Sequence, residues 1–172
     1  MVSIKYGHTM PNPLGSSFTR QIPVRLIGCL NDSAVRSEIL HEPLDPSVSE
    51  RRSAAPGFIE TAVVRAGKQR LLTVTPAGHG VDLKRLARLI GEPVRLETED
   101  EFKWLFPDCA LRAIPPFGNL YGLTTWVDNS LAQTEHIVFF AGTLVDSIKL
   151  AYSAYEEIVQ PNIGRFTDKR RQ

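Results

Sequence analysis

The sequence is poor in the features that define several common classes of protein. Two cysteines in 172 residues are too few for a disulfide-stabilised scaffold, and both are expected to be reduced thiols. The 20 Lys and Arg residues balance 19 Asp and Glu residues, so the formal charge of +1 gives no overall attraction to nucleic acid or to a membrane surface. The longest apolar runs, such as Ile137 to Ala141, are far shorter than the roughly 20 residues of a membrane-spanning helix.

The amino-terminal residues are not expected to form a secretion signal. Residues Met1 to Gly7 contain no hydrophobic core of the kind that a signal peptide needs. Together with the reduced cysteines, this predicts a cytoplasmic location. The length suits one domain with a substantial core, with at most a short appendage.

Familiar catalytic and metal-binding motifs are absent as well. The four histidines lie far apart, and no HExxH or CxxC spacing occurs, so we expect no metal and no cofactor. No Walker loop, GxGxxG or GxSxG motif is present. Cys109 has no histidine near it in the sequence, and we interpret it as a buried structural thiol rather than a nucleophile.

Composition and periodicity divide the chain into three parts. Residues 1–22 are rich in Pro, Gly, Ser and Asn and are predicted to be an irregular extension. Residues 23–162 interleave helical and strand patterns with a hairpin at Gly67-Lys68, which predicts a single α/β or α+β domain with a mixed sheet. Residues 163–172 end in a charged run and are predicted to be a solvated basic tail, in preference to a phosphate-binding segment.

Capping residues and hydrophobic spacing predict the individual elements. Helices are expected at 23–30, 45–56, 82–91 and 98–104, and a longer one from a cap at Thr143 to Val159. Strands are expected at 35–41, 58–66, 70–75, 120–127 and 136–141.

The most unusual segment runs from Ala113 to Gly122, with the sequence Ala-Ile-Pro-Pro-Phe-Gly-Asn-Leu-Tyr-Gly. Two prolines restrict φ, and two glycines allow conformations that other residues avoid. A stiff loop of this kind can hold backbone N–H and C=O groups at fixed positions facing a ligand. A plain connection between a helix and a strand is the alternative, and residue chemistry alone slightly favours it.

Several short motifs occur together in a fixed order. They are Pro56-Gly57, Ala62-Val63-Val64, Val74-Thr75-Pro76-Ala77, Phe106-Pro107-Asp108-Cys109, Ala113 to Gly118, Leu120-Tyr121-Gly122, Val127-Asp128 and Ala141-Gly142-Thr143. From about Val35 to Pro161 this ordered set resembles the YbaK/ProX-type aminoacyl-tRNA editing domains. The resemblance implies one domain with a mixed, partly barrel-like sheet flanked by helices, and a pocket for the 3′ end of a mischarged tRNA.

The resemblance also implies an activity. Family members hydrolyse the ester between a small amino acid and the terminal ribose of tRNA, in trans or as an insertion in prolyl-tRNA synthetase. No metal is implied, because the pocket orients the ester and a water while backbone groups hold the substrate. The expected partners are the aminoacyl-tRNA 3′ end and a synthetase or another protein, with neither membrane nor DNA.

Four positions depart from the family pattern. Thr61 stands where the family usually has a lysine, and Arg112 stands where a glycine usually begins the loop. Arginine carries a conformational penalty wherever φ is positive, but its permanent charge suits it to replace the missing cation. Leu144 and Phe140 stand where close relatives tend to have a histidine and a small residue or asparagine.

The resemblance implies a role for each residue that occupies a functional position of the family. Thr61 would orient water, and Arg112 would contact the terminal adenosine or a phosphate, as the two catalytic residues. The expected substrate-binding residues are Ile114, Pro115, Pro116, Phe117, Gly118, Gly142, Thr143 and Leu144.

These departures leave three functions open. The first is an aminoacyl-tRNA deacylase acting in trans. The second is a catalytically altered or inactive domain that binds a tRNA end, a nucleotide or a protein partner. The third is a deacylase with a changed substrate, since Phe140 and Leu144 make the pocket more apolar. Arg112 and Thr61 facing one open pocket would favour catalysis, whereas Arg112 or Phe140 filling it would favour the binding module.

Overall fold

The structure, a computed structural model, describes residues 3–5, 22–41 and 55–169. Within these ranges the chain forms four helices and eleven strands in three sheets. The predicted mixed α+β class is confirmed, and none of the sheets in the described ranges closes into a barrel. None of the described helices combines the length and the apolar character that crossing a bilayer requires.

The elements have the following bounds. The strands are β1 Ser3–Lys5, β2 Ser37–His41, β3 Ile59–Ala66, β4 Gln69–Pro76, β5 His79–Val81, β6 Val94–Leu96, β7 Thr124–Asp128, β8 His136–Phe140, β9 Asp146–Ala151, β10 Asn162–Gly164 and β11 Thr167–Lys169. The helices are α1 Val24–Asp32, α2 Leu83–Ile90, α3 Glu99–Phe102 and α4 Tyr152–Val159. Short 3₁₀ turns lie at Lys103–Leu105, Leu111–Ala113, Gly118–Tyr121 and Leu131–Gln133.

Two larger sheets form the framework. One has the strand order β1-β2-β9-β8, and the other has the order β10-β7-β4-β3-β6. Both are mixed, because β1 with β2, β4 with β7 and β7 with β10 pair in parallel while the remaining pairs are antiparallel. A single bridge between Phe58 and Val138 joins the two sheets. The third sheet is the short antiparallel ribbon of β5 and β11.

The main hydrophobic core joins side chains of both larger sheets to α1 and α4. Phe117 lies at its centre, where its ring contacts the rings of Phe139 and Tyr155 at centroid distances of 5.6 and 5.5 Å. The buried Tyr155 hydroxyl donates a hydrogen bond to the Pro116 C=O over 2.8 Å. The Pro-Pro-Phe segment is therefore fixed by both apolar packing and a polar anchor.

Two predicted helix caps and the predicted hairpin turn are confirmed. The Asp82 side chain accepts a hydrogen bond from the Arg85 N–H at the start of α2, and Gly91 ends that helix with φ of +85°. Thr98 and Glu101 form the predicted capping box of α3. The hairpin between β3 and β4 turns at Gly67, which has φ of +55°.

The long helix predicted from Thr143 to Val159 is wrong in its first half. Residues 146–151 form β9, which lies between β2 and β8, and only 152–159 are helical. The spacing of Leu144, Ile148 and Ala151 suits a helix, but Ile148 and Leu150 also alternate about the exposed Lys149 as a strand requires. Pairing with two remote strands decides the outcome in favour of the strand.

The carboxyl-terminal segment differs from the predicted tail. Residues 162–164 and 167–169 form β10 and β11, and Phe166 between them is fully buried. One Asp128 carboxylate oxygen accepts hydrogen bonds from the N–H groups of Phe166 and Thr167, at 2.8 and 2.9 Å. The buried aromatic and this anchor attach residues 163–169 to the domain.

At the amino terminus, β1 pairs with β2 inside the segment predicted to be irregular. The remainder of that extension up to Gln21, most of the helix predicted at 45–56, and Arg170 to Gln172 lie outside the described residues.

Replacing Asp128 by Asn should lower the free energy of unfolding by about 1–3 kcal/mol, because a buried acceptor of several hydrogen bonds is lost. Burial would raise the pKa of Asp128, but hydrogen bonds from the Ser130 hydroxyl and from the N–H groups of Phe166, Ser130 and Thr167 hold it below its ordinary value. The stabilisation is therefore present above the ordinary pKa of about 3.9 and is lost as pH falls through the lower folded-state pKa.

Urea unfolding of the wild type and Asp128→Asn at pH values from 7 to 3 measures this difference. Asp168→Asn, at an exposed carboxylate on β11, is the matched control and should change stability by no more than about 0.5 kcal/mol. A gap between wild type and Asp128→Asn that widens below pH 4 contradicts the assignment.

Candidate functional site

A cleft of about 460 Å³ opens beside β3, within the size range of small-ligand sites. Four segments form its walls. They are β3, the junction between β6 and α3, the turn at residues 111–114, and the carboxyl-terminal end of β8. Its lining residues are Phe58, Ile59, Glu60, Thr61, Ala62, Val63, Leu96, Glu97, Glu99, Phe102, Leu111, Arg112, Ile114, Phe139, Phe140 and Leu144.

The cleft exists because one edge of β3 is only partly covered. β3 pairs with β4 along residues 59–66. On its other edge, as far as the described residues show, β6 pairs with residues 64–66 and β8 reaches the strand at the Phe58–Val138 bridge. The intervening strand edge faces the cleft.

Thr61 connects two walls of the cleft, β3 and the 111–114 turn, through a hydrogen bond. Its partly buried hydroxyl donates a hydrogen bond to the Ile114 C=O over 3.0 Å. The hydroxyl proton is thereby engaged, but the oxygen retains capacity to accept a hydrogen bond from a water.

Arg112 supplies the positive charge of the cleft. It is exposed, lies in the 3₁₀ turn Leu111–Ala113, and has no ion pair within the described part of the chain. Among the described non-glycine residues, positive φ angles occur at Ala34 and Gln160, so the conformational penalty considered for Arg112 does not arise. Arg112 therefore occupies this position without the strain of a left-handed backbone.

Gly142 holds the turn that carries Arg112. Its C=O accepts a hydrogen bond from the Ala110 N–H, and its N–H donates to the Ala113 C=O, both at 2.8 Å. Gly142 has φ of +84°, and a Cβ atom there would lie 2.5 Å from Pro23 Cδ. Gly142 positions the turn rather than lining the cleft.

Thr143 is buried in a polar turn behind Leu144. Its hydroxyl donates to the Asp146 carboxylate and accepts from the Asp146 N–H over 2.9 Å. The other carboxylate oxygen lies 2.6 Å from His41 Nδ1. These bonds fix the turn, from which the 38%-exposed Leu144 reaches the cleft.

The Pro115 to Gly118 segment lies behind the cleft wall. All four residues are buried and absent from the cleft lining. A Cβ atom at Gly118 would lie 2.8 Å from the Leu123 C=O, so the glycine allows a close backbone approach inside the fold.

Of the ten site residues predicted from the sequence, the structure brings four to the cleft, namely Thr61, Arg112, Ile114 and Leu144. The other six, which are Pro115, Pro116, Phe117, Gly118, Gly142 and Thr143, support its wall. Phe140 packs edge-on against Phe58 at a centroid distance of 5.0 Å and leaves the cleft open. Thr61 and Arg112 therefore share one accessible cleft.

The carboxylates of the cleft, Glu60, Glu97 and Glu99, are not among the site residues predicted from the sequence. The fully buried Glu97 side chain lies 2.8 Å from Arg65 Nε and 2.7 Å from Arg70 Nε. The two guanidinium groups therefore neutralise the charge of Glu97. Glu60 and Glu99 have no ion pair within the described residues. No local motif marks these residues, because β6 and α3 are brought to β3 only by the tertiary fold.

Cys109 has the structural role predicted for it. Its side chain is 2% exposed, and Sγ lies 3.1 Å from the Tyr121 hydroxyl. Burial raises the pKa of this thiol to about 11, which disfavours the nucleophilic thiolate. Within the described ranges, no three His, Cys, Asp or Glu side chains are grouped so as to hold a metal ion.

Gly142→Ala should destabilise the protein by more than the roughly 1–2 kcal/mol that a left-handed backbone costs an L-residue, because its Cβ would also strike Pro23. Gly78→Ala is the matched control, with φ of +77° and open space around the new methyl group. Urea unfolding of both variants measures the difference, and equal losses of stability would show that the Pro23 contact is unimportant.

Comparison with known proteins supplies the family. The family model of the aminoacyl-tRNA editing domain matches residues 48–158. No curated protein matches the chain in sequence.

Solved structures share the fold at low sequence identity. A candidate trans-editing enzyme for prolyl-tRNA synthetase has a TM-score of 0.70 and 18% identity, over 84% of this chain and 95% of that one. Hypothetical protein APE2540 has a TM-score of 0.75 and 14% identity, over 84% and 99% of the two chains. A candidate signal transduction protein from Marinobacter aquaeolei VT8 has a TM-score of 0.70 and 15% identity.

The chain aligns with only 31% of the Marinobacter protein, while covering 86% of its own length. At these identities the structural likenesses show the fold alone. The family model, in contrast, matches more than half of the chain. The protein therefore belongs to the aminoacyl-tRNA editing domain family, the YbaK/ProX family.

Proposed function

We propose that the protein is an aminoacyl-tRNA deacylase that acts in trans on the ester of a small amino acid mischarged on tRNA. The observation that carries the proposal is the open cleft at the β3 edge, which both Thr61 and Arg112 line in a chain of the editing family. A separate hydrolytic site can remove amino acids that a synthetase has attached to the wrong tRNA. The synthetase pocket alone discriminates poorly, because one methylene group changes the binding free energy of an amino acid by only about 1–3 kcal/mol.

The reaction adds water to the ester carbonyl carbon. The bond to the ribose oxygen then breaks, and that oxygen takes up a proton. Because the Thr61 hydroxyl already donates to the Ile114 C=O, Thr61 acts as an acceptor that orients the attacking water. Arg112 contacts a phosphate or the terminal adenosine, since its charge is not paired within the described residues.

The apolar part of the cleft suits the side chain of the amino acid. Phe58, Phe102, Phe140 and Leu144 all line it. Their bulk leaves room for a small or medium apolar group rather than a charged one. The near-neutral charge of the chain fits contact limited to the last nucleotide, with a synthetase or another protein holding the rest of the tRNA.

A deacylation assay on a panel of tRNAs mischarged with small amino acids tests the proposal. We expect ester hydrolysis above the buffer rate for at least one of them. Arg112→Ala should lower kcat/KM by about 10- to 100-fold, because a charge-assisted contact contributes about 1.5–3 kcal/mol. Arg112→Lys is the matched control and should retain part of the activity, and hydrolysis for no tRNA in the panel would refute the proposal.

A second function, a binding module without turnover, is favoured by one observation. The Thr61 hydroxyl cannot supply the positive charge of the usual lysine, and its proton is committed to the Ile114 C=O. Such a module would bind the tRNA end and leave the ester intact.

Restoring the family residues separates the two functions. If the wild type only binds, Thr61→Lys combined with Arg112→Gly should create measurable hydrolysis in the same assay, because the cleft and its wall are intact. Circular dichroism confirms that the variant is folded. A folded double variant without hydrolysis would show that chemistry was lost at further positions.

A further inference from the structure

The uncovered edge of β3 presents backbone groups to the cleft. Backbone groups alternate in direction along a strand. The Ala77 N–H donates to the Phe58 C=O on the β4 side, whereas the Glu97 N–H donates to the Val63 C=O on the opposite side. The backbone N–H and C=O groups of the even-numbered residues of β3 therefore face β4. Those of the odd-numbered residues point away from β4.

Thr61 is the odd-numbered residue in the middle of the uncovered stretch. β6 begins to pair only at Val64, and the β8 bridge is centred on Phe58. Neither the N–H nor the C=O of Thr61 has a hydrogen-bond partner within the described residues. The cleft thus contains one backbone donor, the Thr61 N–H, and one backbone acceptor, the Thr61 C=O. Their spacing is that of a strand residue whose partner on a neighbouring strand is missing.

The dimensions of this edge restrict what can pair with it. From Phe58 to Val63 the strand advances about 16 Å, at roughly 3.3 Å per residue. Both ends are closed, one by β8 and the other by the Glu97 contact. A continuous peptide strand would collide with these neighbours, whereas one amino-acid unit fits between them.

We propose that the Thr61 backbone binds the aminoacyl group as if it were one added strand residue. This inference rests on the proposed function and names how its substrate is recognised. The N–Cα–C=O unit of an aminoacyl ester has the same donor and acceptor positions as a strand residue. Its α-ammonium donates to the Thr61 C=O, and its ester C=O accepts from the Thr61 N–H.

The charges of the cleft agree with this orientation. Glu60 and Glu99 line the cleft without an ion pair among the described residues, and their negative charge favours a bound ammonium group. As water adds to the ester carbonyl, its oxygen gains negative charge, so the hydrogen bond from the Thr61 N–H strengthens. The substrate class is therefore an L-aminoacyl ester with a free α-ammonium, and N-acylated esters are excluded.

The arrangement also explains how the chain tolerates threonine at position 61. Main-chain recognition does not depend on the side chain, and a β-branched residue suits a strand. The side chain of the substrate is then left to the apolar lining formed by Phe58, Phe140 and Leu144.

Amide hydrogen exchange on the full wild-type chain tests the inference directly. The probes are 3′-deoxy-3′-(L-alanylamino)adenosine, whose amide replaces the labile ester, and its N-acetyl derivative. At saturation with the first probe, exchange at Thr61 should slow by at least about tenfold, the effect of one new hydrogen bond of roughly 1.4 kcal/mol. The N-acetyl probe should bind at least about tenfold more weakly, because acetylation removes the positive charge and two of the three N–H donors of the ammonium.

A pair of variants provides a second measurement. Thr61→Pro removes an N–H that points away from β4, so the β3–β4 hydrogen bonds are retained. It should weaken binding of the free-amine probe at least about tenfold. Thr61→Val keeps the N–H, and exchange at residue 61 should still slow when the probe binds. If Thr61→Pro does not fold, wild-type exchange decides alone.

The outcomes separate this inference from the proposed function. If mischarged tRNA is hydrolysed but Thr61 exchange is unchanged, or both probes bind equally, the backbone inference is overturned and the deacylase proposal stands. If Thr61 is protected and the N-acetyl probe is rejected without any hydrolysis, backbone recognition stands and the deacylase proposal fails. If neither probe binds and no ester is hydrolysed, both are overturned.

Discussion

The full-length pairing of β3 with β4 is the constraint on which the rest of the site depends. It fixes one edge of β3 inside the five-stranded sheet, so everything that forms the cleft must approach the other edge. Among the described residues, β6 and β8 reach that edge at its two ends and leave the middle unpaired. A gap in strand pairing, rather than a separate loop, therefore creates the cleft, and Thr61 faces it because of its position in the strand alternation.

The residues that carry the family resemblance mainly support this gap from behind. Tyr155 anchors Pro116, and Gly142 holds both ends of the turn that presents Arg112. The cleft lining includes Thr61 and Leu144, together with Ala62, Val63 and Ile114 from the motifs themselves. This framework surrounds a lining that contains Arg112, Glu60 and Glu99, none of which has an ion pair within the described residues.

Sequence predicts this structure well wherever the signal is local. The Asp82 cap, the Thr98 capping box and the Gly67 hairpin depend on residues within a few positions, and all three are confirmed. β9 was mistaken for helix because its assignment depends on pairing with β2 and β8, which are remote in the sequence. The cleft carboxylates have no local signal for the same reason, since Glu60 on β3 and Glu99 on α3 line one cleft only in the folded chain.

Trp104 gives this architecture an optical property. It follows α3, which contributes Glu99 and Phe102 to the cleft, and its indole is 63% exposed with the Arg70 guanidinium 5.3 Å above the ring. Because the same guanidinium binds Glu97, the surroundings of the indole are linked electrostatically to a carboxylate at the cleft. Trp126, the other tryptophan, is only partly exposed in β7. The red-shifted part of the tryptophan fluorescence is therefore expected to come from Trp104, beside the helix that brings Glu99 and Phe102 to the cleft, and its emission offers an intrinsic signal with which to test occupancy of the site.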